Sequence, residues 1–598
     1  MKSLRFLLLL LATVNLFAQK LEYSTILIPA ELKENANAVV RLERTNILIT
    51  SRSSVSIKTY RAVTVLNEYG LKLMEASESR PVKSISATVY DGLGNEIKKI
   101  KRKDFREVAV SEGSIISDNK LTYLEYTPTQ YPFTIVYESE VGDSNTAFLP
   151  DWYPIGRSLM SVQQSEVTVT YPPALGFKYK ENNFENRAIA KEEKAGSISF
   201  TVSNLHALKD EQYSPSLNKL VPYVLFGVDK FNLEGVEGEA TSWQNFGLWM
   251  QNELLSGRAE LPEETKSKIK SIVGDEKDPL KKARIVYDYV QGKTRYVSIQ
   301  LGIGGWKPMK AGDVDRLGYG DCKALTNYTK ALLETVGVPS YYCIIYGENG
   351  KTDLEKDFVS MQGNHATLAI PIGNELHWVE CTSQTAPFDF QANFTDDRLA
   401  LVVKPEGGQL VRTSVYKEKD NLQFSTGQYT IAPDGSISGD IEIKSRGTQY
   451  RSREGLDRES AEDRNTYYKR YFSQINNLQL TAVKVNNDRE KPEFAEKISV
   501  NAPGYCSIAN NRLMFAVNAF NPYNAVPQRY RTRNNPFEIS RGFLDEDEIT
   551  ITLPDGYTLE AKPDNVELKE TYGTYKAEYT IIDKNHLKYK RSLLLNDG

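Results

Sequence analysis

Hydrophobic periodicity along this chain switches twice, and the two switches divide it before any motif is considered. From about Leu21 to Ser214 the apolar and β-branched residues come in short runs: Ser53–Val65, Ile85–Tyr90, Phe133–Val141 and Val167–Tyr171. Turn clusters such as Asp91-Gly92-Leu93-Gly94-Asn95 separate them, and no helical stripe intervenes, which predicts a β-sandwich. After Gly238 the period lengthens. Ser242 can cap a helix over Trp243–Leu255, and Glu263–Ile272 and Pro279–Gln291 follow. In the last of these, Ala283, Val286, Tyr287 and Val290 fall at i, i+3, i+4 and i+7, the stripe of a packing helix. Beyond Val402 strand character returns around the turns Pro433-Asp434-Gly435 and Pro554-Asp555-Gly556, with one helix expected over Ala461–Ile475. At roughly 150 residues per domain, the chain should hold about three or four domains.

The start of the chain, MKSLRFLLLLLATVNLFA, has a basic end at Lys2 and Arg5, a short apolar run and a small residue before Gln19. It reads as a cleavable secretory leader over residues 1–18; the run is too short to span a bilayer, which takes about 20 apolar residues. The mature chain is therefore expected to be periplasmic or secreted, with no transmembrane segment. A formal charge of −4 with both signs well mixed argues against a nucleic-acid partner, which needs clustered basic residues. Four cysteines in 598 residues cannot build a disulfide scaffold, so apolar burial must hold the cores. The final run Leu593-Leu594-Leu595 is a strand with no returning strand after it. Either the sequence is cut short there or that edge is covered in another way.

One of the four cysteines, Cys322, sits where Gly318-Tyr319-Gly320-Asp321 runs into a helix expected over Asp321–Val336 and stopped by Gly337 and Pro339. Leu325, Tyr328, Leu332 and Val336 mark the buried face, and Cys322, three residues before Leu325, points along it. A thiol in a first helical turn feels the positive end of the helix dipole, which favours thiolate. A reactive thiolate also needs a base. His206 and His586 are expected on the surface, whereas His365 opens the strand His365–Ile372, and Gly373-Asn374 can turn it into Glu375–Thr382. With that two-residue turn Ile372 opposes Glu375 and His365 opposes Thr382, so Glu380 is the diagonal neighbour of His365 and can hold its ring. His377 and Cys381 have the other parity and should face away. A three-residue loop would reverse this arrangement. Nucleophile, base and orienter in the order Cys322, His365, Glu380 make up the set that cysteine acyl chemistry requires.

Gly320-Asp321-Cys322-Lys323, Asn364-His365-Ala366 and Trp378-Val379-Glu380-Cys381-Thr382 together resemble the transglutaminase-like superfamily of papain-type cysteine enzymes, over roughly Pro279 to Val402. The flanking regions resemble the β-domains of unknown function that precede and follow such cores in bacterial envelope proteins. The resemblance implies a multidomain α+β protein: an N-terminal β-sandwich (19–215), a helical linker (216–278), a papain-like core (279–415) and a mostly-β C-terminal domain (416–598). It also implies a thioester acyl-enzyme formed from an amide and released to water or to an amine. Two positions depart from the family. Its third catalytic residue is usually Asp and is Glu380 here, and the second residue after the cysteine is often Asp and is Ala324 here.

The backbone N–H of Cys322 is the natural oxyanion donor, with Gln300 or Trp306 as the second. Cys343 and Cys381 are expected in buried strands, with a disulfide between them left open. No Cys–His spacing suggests zinc, no cofactor motif is present, and the acidic run Asp545–Glu548 is expected to be a solvated turn. The expected partner is a peptide or protein substrate associated with the envelope. The alternative is a non-catalytic binding or scaffold protein built on the same core.

Overall fold

The computed structural model of the protein describes residues 22–110 and 115–598; the leader assigned to residues 1–18 lies outside them. The N-terminal region is an eight-stranded sheet in the order Ile189–Lys194, Ser197–Leu205, Met160–Thr170, Ala38–Ser51, Ser54–Val65, Phe133–Asp143, Val82–Asp91, Glu96–Lys101. Alternation along each strand sends one row inward: Val55 and Ile57, with Val167 and Val169, face the same apolar cluster as Phe226 and Phe231. The second layer is made of short sheets, including Phe177–Asn182 paired with Tyr223–Val228 and Lys230–Leu233 paired with Val236–Glu239. The stretch expected as a helical linker therefore carries three strands after a single 3-10 turn at Leu217–Lys219, and its α-helices begin at Trp243. The apolar run Tyr223–Val228 was the overlooked signal.

The helix over Trp243–Trp249 is capped by Ser242, which accepts the Asn245 N–H at 3.1 Å, and continues as a π-helix over Met250–Leu255. Helices Glu263–Val273, Pro279–Lys293 and Cys322–Thr335 then pack on a five-stranded sheet. Its order is Glu375–Val379, His365–Ile372, Tyr341–Ile345, Leu399–Lys404, Gly407–Arg412. Asp321 starts the Cys322 helix by accepting the Ala324 N–H at 2.9 Å. Gly337, at φ 73°, ends it in the left-handed region that favours glycine. Leu325, Tyr328 and Leu332 are buried against Leu368 and Ile370 of the central sheet.

The C-terminal region is a second eight-stranded sheet, with Phe543–Thr552 and His586–Leu595 among its central strands. The last strand lies between Phe543–Thr552 and Gly573–Ile581, so both its edges are paired. The run Asp545–Glu548 is strand, not a solvated turn. Asp545 and Asp547 point inward to Arg591 at 3.6 and 2.5 Å, and burial pushes Asp545 up to about 6. A distant arginine, invisible to local pattern, makes that burial tolerable.

Neither flank hangs loose from the core. Trp152, Phe231 and Phe226 of the N-terminal region share one apolar cluster with Phe246, Trp249, Cys322, Tyr342 and Ala366. Phe390 and Ala392 join the C-terminal cluster around Tyr450 and Phe472. Among the described residues no helix is long and apolar enough to cross a membrane.

Candidate active site

Three elements converge at Cys322. The first is the turn ahead of its helix. Arg295–Tyr296 pairs in parallel with Tyr319–Gly320, and Val297 donates to Gly320 O at 3.0 Å, so the loop 295–306 is fastened beside the nucleophile turn. Gly320 has no room for a side chain, because a Cβ there would meet the Ala324 Cβ at 2.8 Å. The second is the strand carrying His365. Thr326, one turn beyond Cys322, donates its hydroxyl to Ala366 O at 3.2 Å and ties helix to strand within one residue of the imidazole. The third is the hairpin. Its register is the one the two-residue turn dictates, Ile372 opposite Glu375 and Leu368 opposite Val379.

The hairpin ladder stops sooner than expected: the strand ends at Val379, and Glu380 lies just past it. Its carboxylate is nevertheless placed at both oxygens. Oε2 meets His365 Nε2 at 2.8 Å. Oε1 accepts the Thr382 N–H at 2.9 Å and the Thr382 hydroxyl. With Nε2 committed to Glu380, Nδ1 is the ring nitrogen left for the thiol, and Cys322 and His365 lie close enough for each to shift the other's titration. Phe394 packs edge-on against the imidazole, centroids 5.0 Å apart, and Gly347 passes so close that a Cβ would lie 2.8 Å from the His365 Cβ.

The charges follow from these contacts. Burial would push the Cys322 thiol up; the His365 imidazole, with the Lys323 ammonium behind it, brings it below the ordinary thiol value. Burial would likewise lower His365, but the Glu380 carboxylate outweighs it and, with Cys322, raises the imidazole to about 10. Burial works to raise Glu380, and His365 and Thr382 hold it below the usual carboxylate range. Cys322 as a whole is 7% exposed. Asp321 and Lys323 form a buried ion pair on either side of it in sequence.

Trp306 packs against the cluster containing Cys322 and against Phe148 of the N-terminal region, centroids 4.7 Å apart. Gln300 turns its amide to Ser298 Oγ at 3.4 Å and lies beside Gly305. Its strand, Ser298–Gln300, pairs in parallel with Ile115–Ser117 of the N-terminal region. His377 is held away from the thiol by Asp389 at 2.6 Å, and Cys381 enters the core under the Cys322 helix. Cys343 lies on the opposite face of the sheet, with Ala369 and Trp378, and all four cysteines are free. His206 and His586 are remote, the latter paired with Asp583.

Sequence reading missed Tyr296. It pairs with Gly320 and is 39% exposed. Burial, the Cys322 charge and the Asp321 and Glu380 charges together hold its hydroxyl above the ordinary value. It missed Tyr342 as well, whose fully buried hydroxyl has no hydrogen-bond partner among the described residues and lies near Cys322 and Asp321. Only pairings between distant segments bring either tyrosine there, so no local signal marks them.

Residues 266–383 match the transglutaminase-like superfamily. Residues 51–209 and 511–598 match two domains of unknown function that have solved structures, DUF3857 and DUF3858. A crystal structure from Parabacteroides distasonis, of a protein provisionally named a protease, superposes with a TM-score of 0.57 at 12% identity, over 94% of this chain and 94% of that one. At this identity the likeness is one of fold, and it extends through all three regions. An M1 zinc metallopeptidase of Deinococcus radiodurans aligns at 9% identity over 40% of this chain and 53% of its own, with a TM-score of 0.16, too low to carry an argument. No curated protein matches the chain.

Proposed function

Starting from a transglutaminase-like region at 266–383 set between two β-rich regions, we propose that this protein is an exported cysteine-dependent acyl-transfer enzyme acting on peptide or protein amides. The observation that carries the reading is the position of His365, with Nε2 on Glu380 at 2.8 Å and its strand tied to the Cys322 helix by the Thr326 hydroxyl on Ala366 O at 3.2 Å. The thiol is lowered and the imidazole raised, which favours the thiolate–imidazolium pair.

Chemistry follows from that pair. The Cys322 sulfur attacks the amide carbonyl carbon, a C–S bond forms, and the carbonyl π electrons move onto oxygen. The Cys322 N–H can donate to this oxyanion, since the Asp321 cap takes the Ala324 N–H instead; Gln300 or Trp306 would supply the second donor. The oxyanion collapses, the C–N bond breaks, and His365 Nδ1 gives its proton to the departing amine. In the second half His365 takes a proton from water or an incoming amine as that nucleophile attacks the thioester, and the sulfur leaves as thiolate. Glu380 stays ionised throughout and holds the ring.

Met1–Ala18 would direct export to the periplasm or beyond, and the flanking β-rich regions would present the substrate or dock on the envelope. A second reading, a non-catalytic binding protein, is favoured by the burial of Cys322, 7% exposed within an apolar cluster that it shares with residues of the N-terminal region. The discriminating experiment incubates wild type and Cys322→Ala with a denatured protein substrate and a primary-amine probe. New peptide termini or incorporated amine, both absent with Cys322→Ala, support the enzyme. If neither appears and wild-type Cys322 is inert to alkylation, binding is the better reading.

A further inference from the structure

We propose that Arg489, on the turn between the C-terminal strands Gln479–Asp488 and Glu493–Ala502, is a positioning residue for Glu380, so that the C-terminal domain takes part in assembling the site; the inference rests on the acyl-transfer reading above. Its starting point is the early end of the hairpin. From Glu380 to Ala386 the chain has left the ladder, so something other than strand pairing must fix the backbone that bears the acid.

Two side chains one turn apart on the helix Pro279–Lys293 do most of that. The Tyr287 hydroxyl donates to Glu380 O at 3.0 Å and to Ala386 O at 3.2 Å. Gln291 Nε2 donates to Ser383 O at 2.8 Å and to Ala386 O at 3.0 Å. Both side chains are buried, and together they clamp the loop at its two ends and its middle. A primary amide, however, is an ambiguous clamp: rotated by half a turn, Gln291 would aim its oxygen at two carbonyl oxygens and repel the loop.

Arg489 removes the ambiguity. Its NH2 donates to Gln291 Oε1 at 2.5 Å and to Ala386 O at 3.0 Å. The guanidinium thus fixes which end of the amide faces the loop and adds a bond to the same carbonyl that Tyr287 and Gln291 already hold. Asp288, at 4.0 Å, keeps the cation over this face of the helix. Without Arg489 the Gln291 oxygen is a buried acceptor with no donor, and the loop loses its only side-chain contact from the C-terminal sheet among the described residues. The chain of contact runs Arg489, Gln291, Ala386, Tyr287, Glu380, His365, Cys322.

The test measures the rate of Cys322 alkylation by iodoacetamide against pH, read on the Cys322 peptide by mass spectrometry, for the full-length wild type, Arg489→Ala and Arg489→Lys. Unfolding temperature is recorded in parallel. Wild type should react rapidly well below the pH of an ordinary thiol. Arg489→Ala should lose about tenfold in rate near pH 6, the scale expected when an orienting partner of a reactive group is removed, at a temperature where it remains folded. Arg489→Lys, which keeps the charge on a side chain one bond shorter than the NH2 that makes both contacts, should recover part of the loss. A profile for Arg489→Ala that superposes on wild type overturns the proposal, and so does a loss that merely tracks the unfolded fraction. If wild type itself reacts as an ordinary thiol, the acyl-transfer reading falls first and the proposal falls with it.

Discussion

Replacing Glu380 with glutamine tests the electrostatics of the site with almost no change of shape. The His365–Glu380 contact is 2.8 Å long with both side chains 8% exposed, so solvent screens it little. A hydrogen bond to a charged group is worth about 1.5–3 kcal/mol. Neutralising the acid should therefore lower His365 by about 1–2 pKa units, at about 1.36 kcal/mol per unit, from its value of about 10. Each unit lost tips the balance of thiolate–imidazolium against thiol–imidazole about tenfold toward the neutral pair, so between the two titrations Cys322 alkylation should slow by up to roughly ten- to a hundredfold. The sign matters as much as the size. Cys322 is depressed and His365 raised, so the charged pair exists above the thiol value and below about 10. The two proteins should differ most between the thiol value and about 10, and converge in alkali, where hydroxide deprotonates the thiol without help. Rate constants measured across this range with peptide mass spectrometry decide it. Superimposable profiles would refute the coupling of Glu380 to the thiol.

Other expectations follow from single contacts. Gly347→Ala would place a Cβ 2.8 Å from the His365 Cβ and from the Phe394 ring, so Cys322 alkylation should slow severalfold while far-ultraviolet circular dichroism stays unchanged. Thr326→Val removes the buried 3.2 Å bond to Ala366 O and leaves that carbonyl without its hydroxyl donor, a loss of about 1–3 kcal/mol in denaturant unfolding. Since all four cysteines are free and Cys343 and Cys381 lie on opposite faces of the sheet, thiol titration of the denatured, unreduced protein should count four.

Local signals made the hairpin and the nucleophile helix legible. Gly373-Asn374 admits a two-residue turn and so sets the register, and Asp321 with Gly337 brackets the helix. The rest depended on partners far along the chain. Glu380 leaves its strand because Tyr287 and Thr382 hold its backbone and carboxylate, and nothing near Glu380 announces Tyr287. Tyr296 reaches the site through a two-residue pairing with Tyr319–Gly320, shorter than any pattern a sequence displays. Asp545 and Asp547 look solvent-bound until Arg591 is brought opposite them. Tyr223–Val228 carries no local sign of its sheet, because the strand that completes it, Phe177–Asn182, precedes it by a long excursion.

The most direct measurement of the central claim is a pH titration of the Cys322 thiolate by its ultraviolet absorbance, taken as the difference between wild type and Cys322→Ser, and repeated in a His365→Ala background. The thiolate should form with a midpoint below the ordinary thiol value in wild type and return upward, past that value, once the imidazole is gone and burial acts alone. A wild-type midpoint at or above the ordinary value, unmoved by His365→Ala, would contradict it.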